Sequence, residues 1–352
     1  MGWIGSVNSI GMAVGALVFG ILADKIGRKQ VFIITLLLFS IGSGVSAFAT
    51  TLTIFLLLRF LIGMGLGGEL PVASTLVSES VAAHERGKVI VLLESFWAGG
   101  FIVAAVIAYF VIPNYGWQAA FLLSAIPALY ALYLRWNLPD SPRFQPVVAK
   151  QSVREKISIV WSKPYLRSTV MLWILWFCVV FSYYGMFLWL PSVMVMKDFS
   201  MIQSFQYVLI MTLAQLPGYF SVALLIERVG RKFVLVTYLI GTAISAYFFG
   251  NAESLTALMT AGIFLSFFNL GAWGALYAYT PEQYPTIVRG TGAGLAAAIG
   301  RVGGILGPLL VGFLVARNTS IETIFTIFCI SIFIGALAVL FLGKETKATE
   351  LT

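Results

Sequence analysis

Eleven long apolar runs dominate this 352-residue sequence. A helix needs about 20 mostly apolar residues to cross roughly 30 Å of hydrocarbon at 1.5 Å per residue. Only helices and closed barrels satisfy their backbone groups in lipid, and these runs are too long and too little alternating for barrel strands. We therefore predict an all-α membrane protein with eleven helices, at about 3–23, 31–50, 54–77, 88–111, 117–136, 169–191, 205–226, 233–250, 256–280, 290–315 and 323–342.

The composition excludes the common soluble classes. Hydrophobic residues make up 60% of the chain and charged residues 10%, whereas a soluble domain carries about a quarter charged residues. A soluble enzyme and a nucleic-acid-binding protein are therefore excluded for the whole chain. Cys178 and Cys329 stand alone in apolar runs, so we expect no disulfide framework, metal or cofactor. His84 lies in a short polar connection, where a solvated loop residue is expected.

The basic residues predict an orientation in the membrane. Clusters around Lys25 to Lys29, Arg86 to Lys88, Arg135 to Arg167 and Arg228 to Lys232 all fall on one side of the predicted topology. Loops rich in Lys and Arg stay in the cytoplasm. This placement explains the formal net charge of +8 without a polyanionic partner. We predict a multi-pass protein of the cell membrane with a cytoplasmic C-terminus.

The chain repeats itself with an offset of 203 residues. The segment from Leu22 to Lys29 recurs as Leu225 to Lys232. The same offset relates further matched pairs: Glu79 and Glu282, Arg86 and Arg289, Gly87 and Gly290. One register that links separate motifs indicates duplication. Near the ends of the halves, Pro139 to Arg143 is loosely echoed by Lys344 to Lys347, with a slip of about two residues.

Two similar halves joined by a linker are an architecture of secondary transporters. We predict an N-terminal bundle over 1–136, a cytoplasmic linker over 137–168, a C-terminal bundle over 169–343 and a cytoplasmic tail over 344–352. The second half has six predicted helices and the first has five. We therefore expect that a first helix is missing from this chain; the alternative is a natural eleven-helix protein.

Eight charged residues of the repeated motifs are candidate gating residues: Asp24, Arg28, Glu79, Arg86, Glu227, Arg231, Glu282 and Arg289. An acid at a helix end can accept hydrogen bonds from the N-terminus of a neighbouring helix, whose dipole favours negative charge. The glutamates and arginines are placed to form charge pairs when the cytoplasmic gate shuts. Small energy differences between states suffice to bias such an equilibrium. The alternative is a static structural clamp.

Several segments share a wider pattern: Arg59 to Gly67 with Pro71, Glu79 with Arg86 and Gly87, Pro139 to Phe144, and Glu282 to Gly290. This pattern resembles the sugar porters of the major facilitator superfamily, over the whole chain. The segment Phe181 to Gly185 lacks the glutamine- and asparagine-bearing motif of those porters; it resembles the organic-ion and niacin-permease branch instead. The resemblance implies two helical bundles, alternating access and an extra leading helix.

Four ionisable residues lie inside predicted spans: Arg59, Glu69, Glu94 and Arg301. Such groups are costly in a bilayer and usually face a cavity or a partner. Arg301 can bind a carboxylate bidentately, and the resemblance implies anionic substrates for a basic residue here; the alternative is an internal ion pair. Glu94 and Glu69 are candidate proton-coupling residues, or else plain hydrogen-bonding or paired groups. For Arg59, a structural role and a functional role both remain open.

Five further residues are candidate substrate contacts together with Arg301: Tyr183, Tyr184, Asn269, Trp273 and Gln215. Their polar atoms need partners inside a membrane, and aromatic rings can stack on a flat heteroaromatic acid. The alternative for the aromatic residues is packing or a place in the interfacial belt.

We predict a secondary active transporter that moves a small aromatic monocarboxylate such as nicotinate, with a proton as the candidate coupling ion. The expected partners are this small molecule and the bilayer, without nucleic acid, and the expected state is a monomer. The first alternative is a transporter of organic cations or drugs with Glu94 or Glu69 as counter-ion. The second is a non-transporting membrane sensor. An enzyme is not expected, because no His/Asp or Cys/His set lies inside a span.

Overall fold

The computed structural model describes residues 2–141, 152–197 and 201–347, and these residues form helices and connecting turns without a β-strand. The all-α prediction is thus confirmed. Nine helices within the described ranges are long and apolar enough to cross a membrane. The predicted count of eleven is not confirmed, because one predicted helix is divided and several side chains of another are not described. The motif residues Arg143 and Phe144 lie outside the described residues.

The first repeat contains six helices in the described residues: α1 (Gly2–Ile26), α2 (Arg28–Ser46), α3 (Leu52–Ser80), α4 (Arg86–Phe110), α5 (Ile112–Leu123) and α6 (Pro127–Asn137). A short linker helix, α7 (Val153–Val160), follows. The second repeat is formed by α8 (Lys163–Phe187), α9 (Leu190–Met196), α10 (Met201–Leu213), α11 (Gln215–Val229), α12 (Arg231–Gly250), α13 (Leu255–Tyr279), α14 (Arg289–Ala316) and α15 (Ile321–Leu342).

Hydroxyl side chains begin several of these helices. The side chain of Thr51 accepts a hydrogen bond from the Ile54 amide at the start of α3, and Ser254 and Ser320 cap α13 and α15 in the same way. Ser152 and Glu155 form a reciprocal capping box at α7. These caps satisfy amides that have no partner within the helix.

The predicted helix over 117–136 is wrong as a single element. α5 ends at Leu123, and a turn of short-range hydrogen bonds leads to α6, with the Ala125 amide bonded to the Leu122 carbonyl and the Ala128 amide to the Ala125 carbonyl. Pro127 has no amide hydrogen and its ring crowds the carbonyl four residues earlier. The proline therefore interrupts an apolar run that hydropathy alone treats as continuous.

Two other predicted helices contain a local irregularity beside a proline. The predicted helix over 205–226 corresponds to one candidate span, Tyr207–Val229, with a one-residue turn at Ala214, three residues before Pro217, between α10 and α11. The run over 169–191 ends at Phe187, and α9 begins at Leu190, immediately before Pro191. In both places a proline removes the backbone donor that would continue the helix.

Glycines bring α1 and α3 into close contact. A β-carbon at Gly15 or Gly67 would overlap the backbone of Met64 or Met12 on the facing helix. Gly11 and Gly63 lie against facing carbonyl oxygens in the same way. Small residues permit this close approach, and dispersion between the backbones replaces side-chain interdigitation.

Small residues also join the two repeats at one end of the bundle. Gly20 of α1 lies against Gly290 and Gly294 of α14, where an added β-carbon would be 2.6 Å from the Gly290 carbonyl oxygen. α4 packs on α11 and α13 of the other repeat, with Val91 against Gly274. We call this region the closed end. It places the charged motifs of both repeats side by side.

We expect Gly67→Ala to destabilise the protein, because the new methyl group has no space between α1 and α3. Overpacking of this kind costs about 1–3 kcal/mol. Thermal unfolding in detergent should show a lower midpoint for this variant. Gly312→Ala is the matched control, since its nearest atom would be 3.4 Å away on Trp189. Equal midpoints for the two variants would contradict the close packing.

Candidate functional site

At the closed end, α2 and α12 begin in the same way in the two repeats. Gly27 and Gly230 precede these helices with φ angles of 101° and 117°, which favour glycine. The Asp140 carboxylate accepts hydrogen bonds from the Arg28 and Lys29 amides, each at 3.1 Å. Asp140, which follows the last helix of the first repeat, therefore caps an N-terminus within its own repeat.

Glu345 has the corresponding role in the second repeat. It accepts hydrogen bonds from the Arg231 amide at 2.9 Å and from the Lys232 amide at 3.1 Å. The neighbouring hydroxyls are equivalent too: Ser141 donates to Glu79, and Thr346 donates to Glu282, both at 2.5 Å. The loose echo between the two segments is thus a structural equivalence.

Asp24 at the end of α1 contacts the N-terminus of α14 in the other repeat. Its carboxylate accepts hydrogen bonds from the Gly290 amide at 3.2 Å, and from the Thr291 amide and hydroxyl, both at 2.7 Å. Asp24 also pairs with Arg28 at 3.0 Å. Negative charge at a helix N-terminus is favourable, so this contact holds the repeats together.

Glu227 makes the reciprocal contact from the second repeat. Its carboxylate accepts a hydrogen bond from the Lys88 amide in the first turn of α4 at 3.2 Å and pairs with Arg231 at 2.6 Å. The acid of each repeated motif therefore binds the N-terminus of a helix in the opposite repeat.

Each motif glutamate lies between two arginines. Glu79 pairs with Arg28 of its own repeat at 3.0 Å and with Arg289 of the other repeat at 2.8 Å. Both arginines and the glutamate are buried. A buried charge is tolerated when ion pairs and hydrogen bonds compensate it.

Glu282 is the counterpart in the second repeat. It pairs with Arg231 at 3.2 Å and with Arg86 of the first repeat at 3.3 Å. The eight residues that the motifs suggested as gating residues thus lie at the closed end in two equivalent clusters of four, one around Glu79 and one around Glu282. We call the two clusters together the charge network.

Lys156 of the linker helix joins the same end, and sequence reasoning missed it. Its ammonium group donates to the Asp24 carbonyl at 2.9 Å. Burial lowers the pKa of Lys156, and the Asp24 carboxylate opposes this shift. Nothing in the sequence pattern distinguishes Lys156 from a solvated linker lysine, because the contact depends on how α7 lies against α1.

A second group of polar residues surrounds Arg301, within the helices and apart from the charge network. The Arg301 guanidinium donates to the Tyr184 hydroxyl at 3.0 Å. The Tyr184 and Tyr183 rings are 5.2 Å apart between centroids, and the Tyr183 and Trp273 rings are 5.1 Å apart. The Trp273 and Tyr277 rings are 6.0 Å apart, and Tyr277 lies beside Arg301. The four aromatic side chains and the guanidinium thus form a closed circuit of neighbours. We call this circuit the aromatic ring set; its members are Arg301, Tyr184, Tyr183, Trp273 and Tyr277.

Glu94 is the acidic neighbour of the aromatic ring set. It is buried, and it interacts electrostatically with Arg301 and Glu69 and lies beside Trp273. Neither Glu94 oxygen has a hydrogen-bond partner in the described part of the chain. Glu69 is half-buried on α3. The structure therefore brings Glu94 close to Arg301, and Glu69 close to Glu94.

Three more predicted residues can be placed. Asn269 is buried one turn before Trp273, and its side-chain oxygen has no partner among the described residues. Gln215 is buried at the start of α11, where no hydrogen bond or ion pair of the described residues links it to the aromatic ring set. Arg59 lies over the Phe55 and Phe121 rings at 4.8 Å and 4.9 Å, which supports its structural alternative.

Sequence reasoning did not select Tyr277. Its position on α13, four residues after Trp273, was a usable signal, because residues four apart share one helix face. A groove of about 970 Å³ between α12 and α13, lined by residues such as Ser245, Asn251, Glu253 and Phe264, contains no predicted site residue.

We expect Glu79→Gln to loosen the closed end, because Arg28 and Arg289 would lose their shared countercharge. Removing one partner of a buried ion pair costs about 3–5 kcal/mol. Amide hydrogen exchange at Gly290 and Thr291 should become about 100-fold faster or more. An unchanged rate would contradict the role of the network. Glu322→Gln, an exposed acid at the start of α15, is the matched control and should leave the rate unchanged.

The sequence is similar to proteins whose names state a transport role. It is 70% identical over 352 residues to a Bacillus subtilis (strain 168) protein, NiaP, whose name assigns it to niacin and nicotinamide transport; the match covers 100% of this chain and 88% of the relative. It is 46% identical over 381 residues to the niacin transporter NiaP of Acinetobacter baylyi, with coverage of 99% and 86%.

Solved structures show the same fold. The proton:xylose symporter XylE, bound to 6-bromo-6-deoxy-D-glucose, matches with a TM-score of 0.84 and 19% identity, over 99% of this chain and 87% of that chain. The human organic anion transporter MFSD10 matches with a TM-score of 0.81 and 18% identity, over 96% and 83%. The family model of the Major Facilitator Superfamily matches residues 1–223 and 207–352. This chain, a multi-pass membrane protein, therefore belongs to the Major Facilitator Superfamily.

Proposed function

We propose that this protein carries a small aromatic monocarboxylate such as nicotinate across the cell membrane by alternating access. The observation that carries the proposal is a buried arginine, Arg301, that lies inside the helices within a circuit of aromatic side chains. The niacin transporters named above are relatives at 70% and 46% identity, which supports this substrate class.

Arg301 is suited to bind the carboxylate. A guanidinium has five donors and stays charged. One nitrogen, Nη1, donates to Tyr184, while Nε has no partner in the described part of the chain. Tyr184 fixes the guanidinium in place and leaves donors for a substrate. In the same proposal, Tyr183, Tyr184 and Trp273 contact the flat ring, and Asn269 and Gln215 are further candidate polar contacts.

The charge network is suited to act as a gate. Its ion pairs and helix-terminus contacts join the two repeats at the closed end, through Asp24 of α1, Glu79 of α3, Arg86 of α4 and their partners. We propose that residues 1–136 and 169–343 move as the two bundles around the substrate, that the closed end faces the cytoplasm, and that the C-terminal tail lies on that side.

Glu94 supplies a candidate coupling group. A buried carboxyl group inside a bilayer-spanning bundle marks proton and ion pathways, and Glu94 is buried with the Trp273 indole and Arg301 as its polar neighbours. Glu69 is its electrostatic neighbour. We propose that Glu94 carries the coupled proton and that Glu69 assists.

We expect Arg301→Gln to lower uptake of radiolabelled nicotinate by about 10- to 100-fold, since hydrogen bonds to charged groups contribute about 1.5–3 kcal/mol. The measurement is initial uptake into proteoliposomes at low substrate concentration. Arg317→Gln is the control, because Arg317 lies at the end of α14 over the Phe313 ring. Normal uptake by the Arg301 variant, or competition by organic cations in place of aromatic acids, would favour the cation alternative. Binding without flux would favour the sensor alternative.

We expect Glu94→Gln to abolish proton-driven accumulation of nicotinate while exchange of labelled for unlabelled substrate continues, because the amide cannot give up a proton. Accumulation under an imposed pH gradient and equilibrium exchange separate these two activities. Glu253→Gln, an exposed acid before α13, should affect neither. Full accumulation by the Glu94 variant would assign the coupled proton to another group.

A further inference from the structure

We propose that Trp273 recognises the ring nitrogen of the substrate. In this proposal the substrate is a heteroaromatic acid: Arg301 binds its carboxylate, and the Trp273 indole N–H donates a hydrogen bond to its ring nitrogen. This inference rests on the proposed function and adds a chemical requirement for the substrate. It predicts that the site distinguishes a pyridine carboxylate from a benzene carboxylate of the same shape.

The Trp273 indole is a buried donor without a partner. Its ring is only 1% exposed, and its nitrogen has no hydrogen-bond partner in the described part of the chain. An indole nitrogen is a donor and never an acceptor. Because a buried polar group is normally paired, an unpaired donor in a candidate site favours a ligand that brings an acceptor.

The position of Trp273 agrees with this role. It contacts Tyr183 on one side and Tyr277 on the other, at 5.1 Å and 6.0 Å between ring centroids. Tyr277 in turn lies beside Arg301. Trp273 and Tyr277 are one turn apart on α13, which is about 6 Å along the axis. A single aromatic ring can therefore face Arg301 with its carboxylate and Trp273 with its opposite edge.

The Glu94 carboxylate faces the Trp273 indole N–H as its nearest acceptor, but the pair does not reach the distance and angle of a full hydrogen bond. The two side chains are adjacent, but the indole nitrogen and both carboxylate oxygens are without hydrogen-bond partners among the described residues. Glu94 and Arg301 likewise form no ion pair within the described ranges. In this proposal, the ligand lies beside these three groups and supplies partners to them.

The chain offers a matched control, Trp176. This tryptophan is also buried and also contacts Tyr277, at 4.9 Å between centroids, but its indole N–H already donates to the Thr280 hydroxyl at 3.0 Å. Trp176→Phe removes as much ring volume as Trp273→Phe does. Trp176→Phe, however, removes a donor that already has a partner within the protein, the Thr280 hydroxyl.

The test is inhibition of radiolabelled nicotinate uptake in proteoliposomes by unlabelled nicotinate and by benzoate, which lacks the ring nitrogen. In the unaltered protein nicotinate should inhibit at a concentration at least tenfold lower than benzoate. Trp273→Phe should weaken inhibition by nicotinate about tenfold and leave inhibition by benzoate unchanged, so that the preference for nicotinate disappears. Trp176→Phe should preserve the preference.

A second measurement needs no variant, so it stands even when Trp273→Phe fails to fold. The pyridine carboxylates with nitrogen at the other ring positions should inhibit the unaltered protein differently from nicotinate, because the acceptor moves relative to Trp273. Equal inhibition by benzoate and by every pyridine isomer would overturn the inference, as would a Trp273→Phe variant that weakens both acids equally. Absence of nicotinate uptake by the unaltered protein would instead overturn the proposed function.

Discussion

The closed end of this protein depends on charges that are removed from water and compensated by one another. Glu79 and Glu282 each lie between two buried arginines, and Asp24 and Glu227 each meet the N-terminus of a helix in the other repeat. Removing one partner leaves another charge buried without compensation, which is far costlier than losing an exposed ion pair. The two repeats therefore meet in one defined arrangement.

The polar residues in the middle of the bundle follow a different rule. Arg301 has one satisfied nitrogen and one unsatisfied nitrogen, and Glu94, Asn269 and Trp273 retain buried atoms without partners in the described residues. Unsatisfied polar groups cost free energy inside a protein. The closed end uses its polar groups for stability, whereas the unsatisfied groups in the middle of the bundle are the ones that we propose bind a ligand.

The sequence pattern predicted the all-α membrane fold and the motif residues well, because hydropathy and repetition are local signals. It did not predict that the run over 117–136 is divided before Pro127, since hydropathy does not register a missing amide hydrogen. It also missed Tyr277 and Lys156, whose roles depend on tertiary contacts with Arg301 and Asp24. Charge and spacing identified Glu79 and Arg289 separately, but only the packing of α3 against α14 shows that they are partners across the repeats.

The exchange of partners between repeats has a consequence for how the two halves of such a gene diverge after duplication. Glu79 is compensated by an arginine in the opposite repeat, and Glu282 is compensated in the same reciprocal way. A substitution of one partner in one half therefore leaves a buried charge in the other half without compensation, so the two halves constrain each other at these positions. Elsewhere, as at Arg301 and its offset counterpart Ala98, each half is free to specialise.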